Sequence, residues 1–210
     1  MQATTARALE KRRRLARRGR SHSERLAFLR GFLKHPVMVG SVIPSSRRLI
    51  DRMLGPVKWD ETRLFVEYGP GVGTFTRVIL DRLPEDARLV TIDTNPEFTA
   101  FLKESLDDPR LIAVTASAAD VEKVLADRGL PKADYILSGL PFSTLPPGVG
   151  DAIGAATARA IRPGGAFLVY QFSPKVRDFI APVFERIERG FEWLNVPPAT
   201  LFWAWREEDA

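Results

Sequence analysis

Two carboxylates and three glycines at the ends of predicted strands have the types and spacing to build a ligand site. Gly69, Gly71 and Gly73 follow Glu67 at the end of a short apolar run. Glycines let a backbone turn tightly and approach a ligand without a Cβ clash. Asp93 closes a second apolar run, about 20 residues after the first glycine. Ligands of open α/β sheets bind at such strand ends, so these residues predict a cofactor site.

The pattern favours a cofactor with a cationic amino-acid end and a ribose over a dinucleotide. The glycine spacing lacks the later glycine of the dinucleotide fingerprint. Glu67 would repel a pyrophosphate, but it can hydrogen-bond an ammonium group directly or through water. Asp93 can accept hydrogen bonds from both ribose hydroxyls. Thr94 or Asn95 can cap the helix that follows, which leaves Asp93 for the ribose.

A third signal follows the third predicted strand. In such folds this loop faces the edge of the adenine when the bound ribose belongs to an adenine nucleoside. Ser117 or Asp120 can accept a hydrogen bond from the exocyclic amine, and a backbone N–H beside Ala118 can meet a ring nitrogen. Asp120 is equally suited to cap a helix, and the sequence leaves both roles open.

A fourth signal is the run that follows the fourth predicted strand, where this architecture places the reacting group. Its residues Gly139, Leu140, Pro141 and Phe142 offer carbonyl and aromatic groups that can hold an amine. An amine that is to react must first lose a proton. The candidate acceptors are His35, Tyr170 and a backbone carbonyl near Ser138, although a lone histidine is more often structural.

These residues must be positioned by alternating strands and helices. The predicted strands are 64–68, 88–93, 111–116, 134–138, 166–172, 191–196 and 200–206. Helices between the first five predict a mostly parallel sheet covered on both faces. The last two strands, joined at Pro197-Pro198, predict an antiparallel edge hairpin. We therefore expect a doubly wound, Rossmann-like α/β domain with a seven-stranded, mostly parallel sheet.

The chain divides into a basic arm, residues 1–35, and a catalytic domain, residues 36–210. Residues 1–34 hold eleven Lys/Arg and two acids, so the remainder carries a net charge of −4. Ser21 and Glu24 have capping-box spacing, which predicts an amphipathic helix up to Lys34. Such an arm seeks nucleic acid or an anionic lipid surface. The predicted membrane contacts are Arg25, Leu26, Leu29, Arg30, Phe32 and Leu33.

Composition excludes several other classes. There is no cysteine, so disulfides and thiolate chemistry are absent, and the presence of only two histidines argues against a multi-histidine metal site. No apolar run approaches the roughly 20 residues of a transmembrane helix.

Together the four motifs resemble those of class I S-adenosylmethionine-dependent methyltransferases. Within that class the chain is similar to ribosomal RNA adenine dimethyltransferases and to bacterial phospholipid N-methyltransferases. The second resemblance spans residues from about 30 to 206 and is carried by residues 34–46, 67–73, 138–142 and 195–199. The N-terminal motif, 34–46, and the fourth motif, 138–142, are the more specific ones. It implies S-adenosylmethionine as cofactor, S-adenosylhomocysteine as product, and additional cofactor contacts at Ser41, Tyr68, Thr94 and Gly139.

Gly139 separates the two relatives. The adenine enzymes have asparagine at this position, whose side chain accepts from the target amino group of a flat base. A site with glycine there is more open, and aromatic groups suit a headgroup that becomes a quaternary ammonium. We therefore expect methylation of phosphatidylethanolamine and its mono- and dimethyl forms towards phosphatidylcholine, with an RNA-modifying enzyme as the alternative. The expected partner is an anionic membrane surface rather than nucleic acid, and the expected location is cytoplasmic, peripherally attached to the inner face of the cytoplasmic membrane.

Overall fold

A computed structural model describes residues 46–171, 175–195 and 197–207 of the 210-residue chain. The strands are β1 (Leu64–Tyr68), β2 (Arg88–Asp93), β3 (Leu111–Thr115), β4 (Ala133–Ser138), β5 (Ile161–Gln171), β6 (Arg186–Glu192) and β7 (Ala199–Trp205). The α-helices are α1 (Arg47–Met53), α2 (Thr74–Arg82), α3 (Pro96–Ser105), α4 (Val121–Ala126), α5 (Val149–Ala160) and α6 (Val176–Ile180).

The predicted arm lies outside the described residues. So do two predicted site residues, His35 and Ser41, and the predicted membrane contacts Arg25, Leu26, Leu29, Arg30, Phe32 and Leu33. Among the helices of the described ranges, none combines the length and apolar character needed to traverse a bilayer.

The seven strands form one sheet in the order β3-β2-β1-β4-β5-β7-β6. Strands β1 to β5 are parallel, and β7 runs antiparallel between β5 and the edge strand β6. The predicted doubly wound sheet with an antiparallel C-terminal hairpin is therefore confirmed. The order reverses beside β1, which places the switch-point crevice at the carboxyl ends of β1 and β4.

The sheet is buried on both faces. All five residues of β1 and all six of β4 are buried, as expected of central parallel strands. One core cluster joins the sheet to α4, α5 and α6, and the other joins it to α1 and α2. Successive residues of β1 alternate between these clusters, so Glu67 and Tyr68 face opposite sides of the sheet.

The structure differs from the prediction mainly near the C-terminus. Strand β6 covers 186–192 rather than 191–196, because the Glu192 carboxylate accepts the N–H of Leu194 and starts a turn. Helix α1 was not predicted from the sequence. Ser46 caps this helix, because its hydroxyl accepts the N–H of Leu49. A serine followed by apolar residues at positions 49, 50 and 53 is a readable signal for such a helix.

Candidate active site

Backbone hydrogen bonds bring the predicted motifs together at one edge of the sheet. The N–H of Gly69 donates to the Ile92 carbonyl at 2.9 Å, and the N–H of Ala116 donates to the Asp93 carbonyl at 3.0 Å. The N–H of Gly139 donates to the Tyr68 carbonyl at 3.2 Å. The first, second, third and fourth motifs therefore form neighbouring walls of one crevice at the carboxyl ends of β1 to β4.

The glycine turn presents open space to this crevice. Gly69, Gly71 and Gly73 all have positive φ, a conformation in which other residues are strained. A Cβ on Gly73 would lie 2.6 Å from Cδ2 of Leu102, so a side chain there would displace Leu102. A Cβ on Gly71 would meet no atom within 4 Å. Gly71 thus borders an open space in which a ligand can approach the backbone closely.

Glu67 is a buried carboxylate at the end of β1. Its Oε2 accepts a hydrogen bond from the hydroxyl of Thr76 at 2.6 Å. Burial raises the pKa of Glu67 to about 7, the Thr76 hydrogen bond lowers it in part, and the charge of Asp93 raises it. A cation bound beside Glu67 would stabilise the ionised form, so the site is suited to an ammonium group.

Asp93 stands at the end of β2 and is held by backbone donors. Its Oδ1 accepts the N–H of Asn95 at 2.8 Å, while burial raises its pKa and backbone donors at Asn95 and Gly71 lower it. The cap of α3 is Asn95, whose side chain accepts the N–H of Glu97. Asp93 is thus not the helix cap. Thr94 lies exposed beside it.

The loop after β3 gives Ser117 and Asp120 different surroundings. The Ser117 hydroxyl accepts the N–H of Ala119 at 3.2 Å and caps a short 3-10 helix, Ala118–Asp120. Asp120 is exposed, and its side chain makes no capping hydrogen bond to α4. Asp120 thus occupies the N-cap position of α4 without capping it through its side chain, and it remains a candidate acceptor for an adenine amine. Ala118 is buried.

Gly139 lies directly against Tyr170. A Cβ at Gly139 would be 2.3 Å from the Tyr170 hydroxyl oxygen and 2.9 Å from its Cζ. The Tyr170 ring stacks on Phe75, with ring centroids 4.9 Å apart, and Phe75 belongs to the helix that follows the glycine turn. The tyrosine hydroxyl therefore occupies the space that a side chain at position 139 would need.

The remaining residues of the fourth motif are largely committed to packing. Leu140 lies over Gly69, and its carbonyl already accepts the N–H of Phe142 and the side-chain amide of Gln171. The Phe142 ring is buried and stacks on Phe179 at 5.8 Å. Pro141 is partly buried.

Tyr68 is a core residue rather than a lining residue. Its side chain is fully buried on the α5 face, and its hydroxyl lies 3.2 Å from the Thr157 hydroxyl. The alternation along β1 turns it away from Glu67, so only the Tyr68 backbone remains for the predicted cofactor contact. Of Tyr68, Phe142 and Tyr170, it is therefore Tyr170 that borders the crevice.

Comparison with known proteins identifies the family. No family model matches the sequence. The chain is, however, 30% identical to ornithine lipid N-methyltransferase of Singulisphaera acidiphila over 177 residues, which cover 83% of this chain and 92% of that protein. The chain belongs to the family of S-adenosylmethionine-dependent lipid N-methyltransferases. The prediction of a methyltransferase that uses S-adenosylmethionine is thereby confirmed.

Other similarities of this lipid N-methyltransferase are weaker or concern the fold alone. Ribosomal RNA small subunit methyltransferase A of Bordetella pertussis is 28% identical over 65% of this chain and 44% of its own length. The structure of the Thermus thermophilus 16S rRNA N2 G1207 methyltransferase with AdoMet and guanosine matches with a TM-score of 0.60 at 20% identity. That match covers 80% of this chain and 44% of the other. It shows the class I fold.

The crevice fits S-adenosylmethionine on its own geometry. The open side of Gly71 leaves room for a ligand, buried Glu67 suits the ammonium group, and Asp93 suits the ribose hydroxyls. When bound, the cofactor supplies a methyl group already activated on a sulfonium. The enzyme's task is then to align an amine with that methyl and to remove the amine's proton.

Sequence reasoning missed three residues that build this site. Thr76 holds the Glu67 carboxylate, Phe75 supports the Tyr170 ring, and Gln171 ties the end of β5 to the fourth motif. Thr76 and Phe75 lie in the first turn of the helix after the glycines, which is a readable position. Gln171 shows no signal in the sequence, because its partner is a backbone carbonyl 31 positions away.

The raised pKa of Glu67 predicts how stability of the unliganded enzyme changes with pH. The folded protein keeps the Glu67 proton up to about pH 7, whereas the unfolded chain loses it near the ordinary value of 4.5. The protonated Glu67 therefore makes its full contribution to the free energy of unfolding below pH 4.5. As pH rises to about 7 that contribution is lost, and the free energy of unfolding falls by about 3 kcal/mol. Urea unfolding of wild type and Glu67→Gln at several pH values should show this decline in the wild type alone. Equal slopes in both would contradict it.

Proposed function

We propose that this enzyme methylates the amine of phosphatidylethanolamine, and of its mono- and dimethyl forms, towards phosphatidylcholine. The observation that favours a lipid amine over an adenine base is the contact between Gly139 and Tyr170. It replaces the side-chain amide expected of an adenine enzyme by an aromatic hydroxyl that is anchored on a second ring. A headgroup amine can meet this hydroxyl while its later methylated forms meet the ring face.

The proposed chemistry is a direct displacement. The amine's lone pair attacks the methyl carbon as the carbon–sulfur bond breaks, which leaves S-adenosylhomocysteine. Tyr170 is proposed to accept a hydrogen bond from the amine and so orient its lone pair. Cation–π attraction to an aromatic ring persists after the last N–H has been replaced, which suits repeated methylation. His35 stays a predicted proton acceptor.

Ornithine lipid is the second candidate substrate, and the name of the relative from Singulisphaera acidiphila favours it. It too presents a primary amine, so Tyr170 would act on it in the same way. Its free amine belongs to an amino-acid headgroup, whereas the amine of phosphatidylethanolamine is linked to a phosphate through a two-carbon chain. The two candidates therefore differ in what surrounds the amine rather than in the reaction.

The basic arm is proposed to hold the enzyme on the anionic inner face of the cytoplasmic membrane. Residues 1–34 carry a net charge of +9. Each basic residue near such a surface contributes roughly 1 kcal/mol, and salt weakens the attraction. Four or five engaged residues are enough for reversible binding. Deletion of residues 1–34 should then reduce sedimentation with anionic vesicles in a salt-dependent way.

A direct competition identifies the substrate. Mixed micelles of phosphatidylethanolamine and ornithine lipid are incubated, together with a ribosomal RNA fragment in solution, with isotopically labelled S-adenosylmethionine. The products are resolved by mass spectrometry. We expect label in mono-, di- and trimethylated phosphatidylethanolamine. Label in ornithine lipid alone would replace the first candidate by the second. Label in RNA without any lipid product would overturn the proposed lipid substrate.

A further inference from the structure

The turn between β6 and β7 carries an exposed apolar tip. Trp193 is 74% exposed and Leu194 is 63% exposed, and they are the only large apolar side chains exposed among the described residues. They are adjacent in sequence, and the Trp193 ring packs edge-on against Phe191 with centroids 4.3 Å apart. We call Trp193 and Leu194 the apolar tip.

This tip is presented on a rigid base. Asn195 is buried, and its side chain accepts the N–H of Ser46 at 2.9 Å while its amide donates to the Pro197 carbonyl. The carboxylate of Glu192 accepts the N–H of Leu194 at 3.0 Å. Arg52 donates to the Phe191 carbonyl at 2.8 Å. These hydrogen bonds attach the residues on either side of the tip to α1 and to the chain that follows.

The tip lies at the same edge of the sheet as the cofactor crevice. Strand β7 is antiparallel to β5, and its start at Thr200 pairs with Gln171 at the carboxyl end of β5. Glu192 pairs with Ala199, so the turn projects beyond this edge. The side chain of Gln171 in turn contacts the carbonyl of Leu140 in the fourth motif. A flat surface that met the tip would therefore face the side on which the crevice opens.

The surroundings of the tip carry exposed positive charge. The exposed arginines of α1 and β6 include Arg47, Arg48, Arg52 and Arg189. Arg52 and Arg189 line a groove together with Trp193. Glu192 is buried and pairs with Arg52, while the exposed acids Asp51 and Glu188 each form an ion pair with an arginine.

We infer that the apolar tip and its arginines dock the folded domain on an anionic lipid bilayer. An indole ring flanked by cations is matched to a headgroup region, where one side is apolar and the other is charged. This contact is separate from the basic arm, and it orients the crevice towards the lipid. Only the role of this contact rests on the proposed lipid substrate, because binding of the tip to a bilayer requires no methyl transfer.

Vesicle sedimentation of the full chain tests the contact. The double variant Trp193→Ser/Leu194→Ser should reduce partitioning to vesicles of phosphatidylcholine and phosphatidylglycerol by about ten-fold. Arg189→Gln should reduce it by about five-fold, and only when the anionic lipid is present. Arg88→Gln is the matched control, because Arg88 is exposed at the opposite edge, where β2 begins. It should bind as wild type.

Fluorescence locates the tip independently of the arm. The four tryptophans of the chain include Trp193, so brominated lipids should quench wild type more than Trp193→Phe. Phenylalanine retains the apolar contact, so this variant should still sediment with vesicles. Equal quenching of both proteins, or normal sedimentation of the double serine variant, would overturn the inference. So would a wild-type dimer that the double variant converts to monomer, since the tip would then cover a second copy.

Methyl transfer to a short-chain aminolipid dissolved as monomers separates this inference from the proposed function. The double serine variant should methylate the dissolved lipid at the wild-type rate and lose activity only on vesicles. If no lipid is methylated by any variant but quenching persists, the substrate proposal fails and the docking inference stands.

Discussion

Replacing Gly71 by valine should abolish binding of S-adenosylmethionine. The Cβ of this residue would project into space that no protein atom fills within 4 Å, which is where the cofactor is expected to approach the backbone. We expect affinity to fall by about a thousand-fold, roughly 4 kcal/mol. Isothermal titration calorimetry measures this directly.

The matched control is Gly129→Val. Gly129 also has positive φ, and a Cβ there would likewise meet no atom within 4 Å, but it lies after α4, away from the crevice. Both valines carry the same kind of backbone strain, about 1–2 kcal/mol or somewhat more. Both variants should therefore melt at similarly reduced temperatures, and only Gly71→Val should lose the cofactor. Normal binding by Gly71→Val would remove the cofactor from the glycine turn.

Replacing Gly139 by alanine should lower kcat/KM for the lipid by about a hundred-fold, because a misplacement of about 1 Å costs this much. The added methyl group would lie 2.3 Å from the Tyr170 hydroxyl, so the ring must leave its place against Phe75. Binding of S-adenosylmethionine should change far less than the rate. Steady-state kinetics combined with calorimetry separates the two effects.

Gly190→Ala supplies the control for overpacking. Gly190 lies in β6, and its added methyl group would lie 2.8 Å from the indole ring of Trp203 in β7. Because Gly190 also lines the groove of Arg52, Arg189 and Trp193, the rates are compared on the dissolved short-chain lipid, which needs no bilayer. Both alanines should reduce stability by about 1–3 kcal/mol. Tyr170→Leu in the Gly139→Ala background should add little further loss, because the residue displaced by the first change is the one removed by the second. Additive losses would show that Gly139 acts without Tyr170.

Local sequence determined most of the fold and the main residues of the cofactor crevice. The bounds of β1 and β2 were predicted to the residue, since buried parallel strands read as apolar runs closed by glycine or a carboxylate. Glu67, Asp93 and the three glycines were identifiable because each lies at a strand end, and the topology of a parallel sheet brings such ends together. Asn95 was a predicted alternative cap for α3, and it is the cap.

Tertiary structure alone decided which side chains face the crevice and which belong to the core. Tyr68, Phe142 and Tyr170 have similar local settings near strand ends, yet two are buried and one borders the crevice. Whether each side chain is buried or borders the crevice depends on its contact with Thr157, Phe179 or Gly139, respectively. These partners lie between 31 and 89 positions away in the sequence. The exposed tip at Trp193 likewise depends on Asn195 reaching Ser46, 149 positions earlier. Such distant pairings are set by the packing of layers, which no local pattern encodes.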